Sequence, residues 1–300
     1  MSHHRPTLLI VGCGDVGMRV LKRVQARWRV VALTSSPSRM TALREAGALP
    51  VQGNLDEPHT LQRLRGVAAL ADAVLHLAPP AARGATDLRT RALLQVLMKS
   101  QHVQRLVYAS TTGVYGDCQG RQIDETQPVA PLTERALRRV DAEHRVRHFG
   151  RCTGAVVSIL RVPGIYANDR VGGRPSERLL RGAPVLMDAE DVYTNHIHAD
   201  DLARACVAAL RHGGAQRVVN VCDHTDLKMG DYFDLAAQLA GLPPPARITR
   251  AQAQAELGPM QLSFMSESRR ISNRRLTQEL GLRLLYPTVL QGLQQASAGV

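Results

Sequence analysis

The chain has 300 residues, 44% of them hydrophobic, enough apolar material for a sizeable core, which argues against a disordered protein. Its formal net charge is +12, but the arginines are spread along nearly every helical stretch and only 3% of residues are aromatic, so nucleic acid is not the expected partner. No apolar run approaches the roughly 18 residues of a membrane span, Leu8–Val11 is too short for a signal segment, and the five cysteines form no Cys-x-x-Cys pair, so the expectation is a cytoplasmic protein with reduced thiols.

From the start of the chain, short β-branched runs alternate with helical segments. The pattern predicts a strand at Thr7–Val11, a helix from Asp15 to about Ala26, a strand at Arg29–Thr34, a helix near Ser38–Ala46 and a strand at Leu49–Gln52. It continues with a helix near His59–Leu64, a strand at Ala73–Leu77, a long helix around Leu88–Gln101 and a strand at Arg105–Ser110. Strands separated by helices of this length imply parallel βαβ crossovers and a sheet covered on both faces. An arginine-rich helix over about Thr133–Gly150 precedes the apolar run Ala155–Leu160, read as the sixth strand that completes the sheet. Beyond Pro163 the pattern is irregular, with Gly- and Pro-rich loops between short elements that include a helix near Ala199–Leu210 and a strand at Val218–Val221. The predicted fold is α/β: a doubly wound parallel Rossmann sheet over residues 1–165, with residues 166–300 forming mainly a smaller C-terminal substrate lobe, some elements of which return to the sheet.

The segment Leu8-Leu9-Ile10-Val11-Gly12-Cys13-Gly14-Asp15-Val16-Gly17 sets a glycine triplet directly after a buried strand and at the start of a helix. In that context Gly12 permits the tight turn, Gly14 lets backbone approach a pyrophosphate, and Gly17 lets helix and strand pack closely. The helix N-terminus, at Asp15, Val16 and Gly17, then offers its unsatisfied N–H groups to the phosphates. Selectivity for NAD commonly comes from a carboxylate about 20 residues further on, yet there is none between Asp15 and Glu45. The second strand ends instead in Thr34-Ser35-Ser36, with Arg39 nearby, and hydroxyls beside a guanidinium suit a 2′-phosphate. The expected cofactor is NADP, with NAD as the alternative.

Further segments match in order: Gly53-Asn54-Leu55-Asp56, His76-Leu77-Ala78-Pro79-Pro80, Ser110-Thr111-Thr112-Gly113-Val114-Tyr115-Gly116, Arg161-Val162-Pro163-Gly164-Ile165-Tyr166, and Asn195 to Leu202. With the glycine loop they make almost the whole chain resemble an extended short-chain dehydrogenase/reductase of the NAD-dependent epimerase/dehydratase group. The resemblance implies that Asn54 and Leu55 lie beside the adenine, that Leu77, Ala78, Pro79 and Pro163 also meet the cofactor, and that Thr111 hydrogen-bonds the reacting oxygen.

One part of the family pattern is missing. The residues four before the three lysines are Met18, Gln95 and His224, so no Tyr-x-x-x-Lys exists in any register. The resemblance places Arg135 at the tyrosine position and Arg139 at the lysine position. A guanidinium is no general base near neutral pH, but Arg139 can bond the nicotinamide ribose and Arg135 can hold an anionic substrate. Tyr115, Asp117 and Tyr166 remain as proton-handling groups, with Tyr115 a catalytic candidate beside Thr111 and Tyr166 a substrate-binding one. His144 and His148 fall at i and i+4, but without Glu between them and among arginines they read as an exposed basic face, so no metal site is expected. His196 and His198 read as structural, with Asp200 as a helix N-cap. The function expected is an NAD(P)-binding oxidoreductase or epimerase acting on a hydroxyl or carbonyl of an anionic or nucleotide-linked small molecule, as a monomer or homodimer. The alternative is a catalytically impaired NADP-binding regulatory or scaffold protein.

Overall fold

Seven parallel strands form the central sheet of the computed structural model, which describes residues 5–294. They are β1 (Thr7–Val11), β2 (Arg29–Thr34), β3 (Leu49–Gln52), β4 (Ala73–His76), β5 (Arg105–Thr111), β6 (Val156–Val162) and β7 (Arg217–Asn220), in the spatial order β3-β2-β1-β4-β5-β6-β7. Because β1 pairs with both β2 and β4, strand order reverses there, and the reversal opens a crevice at the carboxyl ends of the strands. The strand period of two sends Leu8 and Ile10 into one core and Leu9 and Val11 into the other, all of them buried.

Eight helices are used here: α1 (Asp15–Val24), α2 (Met40–Glu45), α3 (Gln62–Ala68), α4 (Leu88–Ser100), α5 (Glu134–Thr153), α6 (Pro175–Leu180), α7 (Ala199–His212) and α8 (Met229–Ala240). α1 packs against α7 on one face of the sheet, while α4 packs against α3 and α5 on the other. A third core, with Val185, Leu186, Tyr232, Phe233 and Met265, belongs to the C-terminal lobe. Among the described residues no helix is long and apolar enough to cross a membrane.

The expected sixth strand does not complete the sheet. β7 pairs with β6 in parallel, Val218 opposite Ile159, and buries Val218 on one face and Val219 on the other. The outward backbone groups of β7 meet side chains: the Val218 carbonyl accepts from Arg275 Nη1 at 3.0 Å, and Asn220 N–H donates to Glu125 Oε1 at 2.8 Å. Several boundaries also move. Pro58 opens a 3-10 turn, Pro58–Leu61, which displaces α3 downstream, and α5 runs on to Thr153 until Gly154 turns left-handed at φ +77°. Asp200 is not the N-cap of α7; His198 is, its Nδ1 accepting from Asp200 N–H at 3.2 Å.

Candidate functional site

The turn after β1 is fixed by contact distances. Gly12 has φ +87°, and a Cβ there would lie 2.4 Å from the Ala78 nitrogen, so only glycine fits. A Cβ on Gly17 would come within 3.2 Å of Cys13 Sγ and the Gly12 carbonyl, the close approach of helix to strand. A Cβ on Gly14, by contrast, would meet nothing within 4 Å, because Gly14 borders a cavity. Gly14 is also the N-cap of α1 and supplies no side-chain acceptor, leaving the N–H groups of the first helical turn without intrahelical partners. Open space in front of a helix N-terminus fits a pyrophosphate.

That cavity holds about 580 Å³ over the carboxyl ends of the central strands. It collects Gly12, Gly14, Asp15, Val16 and Gly17 from the first turn, with Thr34, Ser35, Ser36 and Arg39 from the end of β2. Asn54, Leu55, Leu77, Ala78, Pro79 and Arg139 also line it. The Thr34 hydroxyl accepts from Ser36 N–H at 3.2 Å, which curls the chain beyond β2. Two carboxylates stand in this cavity, and both are engaged by arginine. Asp56 takes Arg89 at 2.7 and 2.6 Å, and that guanidinium holds its carboxyl below the usual range. Asp15 takes Arg19 and Arg170, each at 3.2 Å. Arg89 and Arg170 were missed in sequence: each meets its carboxylate across a long stretch of chain, and no local pattern marks such a pairing.

A second cavity, of about 350 Å³, is also lined by Arg139 and Arg170, so the two spaces meet along the same residues. Thr111, Arg135 and Pro163 line it together with Tyr193, Glu267 and Arg269. Pro163 thus faces this second space and does not line the first. Thr111 Oγ1 accepts from Gly113 N–H at 3.2 Å, which fixes the oxygen and leaves its proton to donate. Arg139 Nη1 donates to the Ala109 carbonyl at 2.6 Å and to the Tyr108 hydroxyl at 3.1 Å. Arg135 lies exposed, its guanidinium 5.3 Å from the Phe264 ring centre. Glu267, Arg269 and Tyr193 were not singled out in sequence, because they belong to the irregular C-terminal half where no periodicity aims a side chain.

Two expected roles are corrected. Tyr115 is fully buried, donates to Asn220 Oδ1 at 2.7 Å and lies under the Arg161 guanidinium; burial raises its pKa, and it lines neither cavity. Tyr166 is likewise buried against His196 and His198, donates to the Thr288 carbonyl, has its pKa raised by burial and lines neither cavity. Neither hydroxyl opens onto the two cavities. Asp117 ties its own loop to the C-terminal half, Oδ1 accepting from Gln119 N–H and from Ser268 N–H. His144 and His148 are exposed on α5, and among the described residues no three His, Cys, Asp or Glu side chains are placed to hold a metal.

Residues 8–222 match the NAD dependent epimerase/dehydratase family. Protein YeeZ of Escherichia coli K12 is 26% identical over 287 residues, covering 94% of this chain and 96% of that protein. A functionally unknown conserved protein from Silicibacter pomeroyi superposes with a TM-score of 0.82 at 30% identity, over 98% of this chain and all of that one (100%). UDP-glucose 4-epimerase from Thermotoga maritima, solved with UDP-glucose, superposes with a TM-score of 0.78 at 20% identity over 96% of each chain. dTDP-glucose 4,6-dehydratase from Bacillus anthracis, solved with NAD, gives 0.76 at 18% identity over 97% of this chain and 94% of that one. The last two likenesses are likenesses of fold.

Proposed function

Since the chain belongs to the NAD-dependent epimerase/dehydratase family, we propose that it is an NADP-binding oxidoreductase or epimerase acting on a hydroxyl or carbonyl of an anionic small molecule. The observation that supports this most is that the two cavities share Arg139 in their walls, with the glycine loop in one and Thr111 in the other. In this reading the phosphates lie on the first turn of α1, and the Arg39 guanidinium beside Thr34, Ser35 and Ser36 takes a 2′-phosphate. Asn54 and Leu55 border the adenine, with Leu77, Ala78 and Pro79 along the dinucleotide. When bound, the nicotinamide supplies a carbon that gives or takes a hydride.

Thr111 donates its hydrogen bond to the oxygen of the reacting carbon, Arg139 meets the nicotinamide ribose, and Arg135 meets the substrate's anionic group. No tyrosine lies between Tyr115 and Tyr166, so α5 offers no tyrosinate, and a proton leaving the substrate hydroxyl passes to water or to another acceptor in the second cavity. Residues 1–165 then act as the cofactor part and residues 166–300 mainly as the substrate lobe. A space for a second molecule beside the cofactor has no use in a protein that only binds dinucleotide, which argues against the regulatory-binder alternative.

Calorimetry with both cofactors tests the reading. NADP(H) is expected to bind more tightly than NAD(H), and Arg39→Ala to weaken NADP(H) about tenfold or more with little effect on NAD(H), the scale of a lost charge-assisted hydrogen bond. Equal affinities, or a preference for NAD(H) in the wild type, would overturn the assignment of Arg39.

A further inference from the structure

Arg135 and Arg139 stand four residues apart on α5, roughly 6 Å along its axis, and both line the second cavity. Like charges at this spacing destabilise a helix, and both cations lie in its first two turns, where the helix dipole disfavours them. Neither is neutralised by a carboxylate contact. Arg139 donates to neutral oxygens, those of Ala109 and Tyr108, and Arg135 lies over the Phe264 ring with Glu267 acting on it from across the cavity. The carboxylate that lines the same cavity, Glu267, is held by Arg269 at 2.7 Å. Among the described residues no carboxylate lies within ion-pair distance of either guanidinium, so the cavity presents two arginines without an ion pair of their own, in the field of Glu267 and beside the Thr111 hydroxyl that has a proton to donate.

We propose that the second cavity takes a compact hydroxy or oxo acid whose carboxylate is gripped by Arg135 and by Arg139, the latter shared with the nicotinamide ribose of the first cavity, while its neighbouring oxygen accepts from Thr111. This rests on the reading that NADP fills the first cavity. A planar carboxylate suits the fixed fork of a guanidinium, and two forks one helical turn apart can hold its two oxygens from both sides. With the hydroxyl of Thr111 lining the same space, the acid group lies within a bond or two of the reacting carbon. A space of about 350 Å³ suits a molecule of that size. It gives no reason for a distant diphosphate to provide the charge.

Thermal unfolding and calorimetry of the full chain test this, with NADP loaded and without it, at constant ionic strength. The probes are tartronate and malate, with sulfate as the control anion and UDP-glucose as the competing class. Tartronate or malate is expected to raise the unfolding temperature beyond sulfate, and Arg135→Ala to weaken that binding at least tenfold while leaving NADP affinity unchanged. Because Arg135 is exposed and makes no hydrogen bond to the fold, the variant stays folded, and Arg135→Lys should restore only part of the binding. The proposal fails if the acids stabilise no more than sulfate, if they bind Arg135→Ala as well as wild type, or if UDP-glucose binds more tightly than either acid. Failure of NADP to bind the wild type would instead sink the reading of the first cavity, and the titrations without cofactor would still decide this one.

Discussion

The three glycines of the first turn do different work, and a single added methyl separates them. At Gly12 it collides with the backbone of Ala78; at Gly17 it presses on Cys13; at Gly14 it enters open space. Gly14 has a negative φ of −78° and a Cβ there meets no atom within 4 Å, so a side chain finds room without displacing a neighbour. Gly14→Val is therefore expected to unfold within a few degrees of the wild type but to lose NADP binding by about a hundredfold or more, as the isopropyl group fills the pyrophosphate's approach. A folded variant with unchanged affinity would place the cofactor elsewhere. These glycines could be read from sequence because strand, turn and helix follow one another within ten residues. Arg170 could not: it meets Asp15 from 155 positions away.

At the scale of elements, α5 joins the two cavities to the sheet. Its position was legible as an arginine-rich helical stretch over about Thr133–Gly150, and the structure makes Thr133 its cap, the hydroxyl accepting from Ala136 N–H at 3.2 Å. Which of its charged residues would be buried was not legible, because charge appears on every side of this helix. The structure buries Glu143, which takes Arg161 of β6 in a two-pronged pair at 3.0 and 2.7 Å and also accepts from the Ser110 hydroxyl at 2.7 Å. With both partners under 5% exposed, removing one charge strands the other. Glu143→Gln is expected to cost about 3–5 kcal/mol in urea unfolding. A double change of Glu143 and Arg161 to methionine should recover most of that loss, and a single variant as stable as the wild type would show that the pair is not what holds α5 to β6.

Over the whole molecule, the first six strands could be read because a helical stretch separates each run from the next. That some elements beyond residue 166 return to the sheet is expected, but a four-residue strand after an irregular stretch carries no mark that it is β7 that does so, and only the reach of the chain back to β6 decides it. The same long-range packing buries ionisable groups that sequence gives no reason to expect inside. Burial pushes His196 down to about 3, and burial with the nearby Arg139 does the same to His76. The unfolded chain takes up those protons first, so both histidines withdraw stability as pH falls from about 6.5. Asp223 runs the other way: burial lifts it to about 7, its Oδ2 has no hydrogen-bond partner, and the unfolded carboxyl titrates near 4. Its contribution to stability is full below the unfolded value and is lost as pH rises toward 7. Asp223→Asn is thus expected to gain on the wild type in unfolding temperature between about pH 4 and 7, with a constant difference above; a difference independent of pH would refute the assignment.

The outer rim of β7 has a consequence for how the protein behaves in a crowded solution. An unpaired strand is a template on which a second chain can lay its own backbone, and a parallel sheet that ends in one invites linear polymerisation. Here two of the outward-facing backbone groups are already spoken for, the carbonyl of Val218 by Arg275 and the amide of Asn220 by Glu125. Those two side chains are themselves 3.4 Å apart, so each keeps the other in place. A charged latch thus stands on that edge where another strand would pair, and a second chain would have to displace it to add itself to β7.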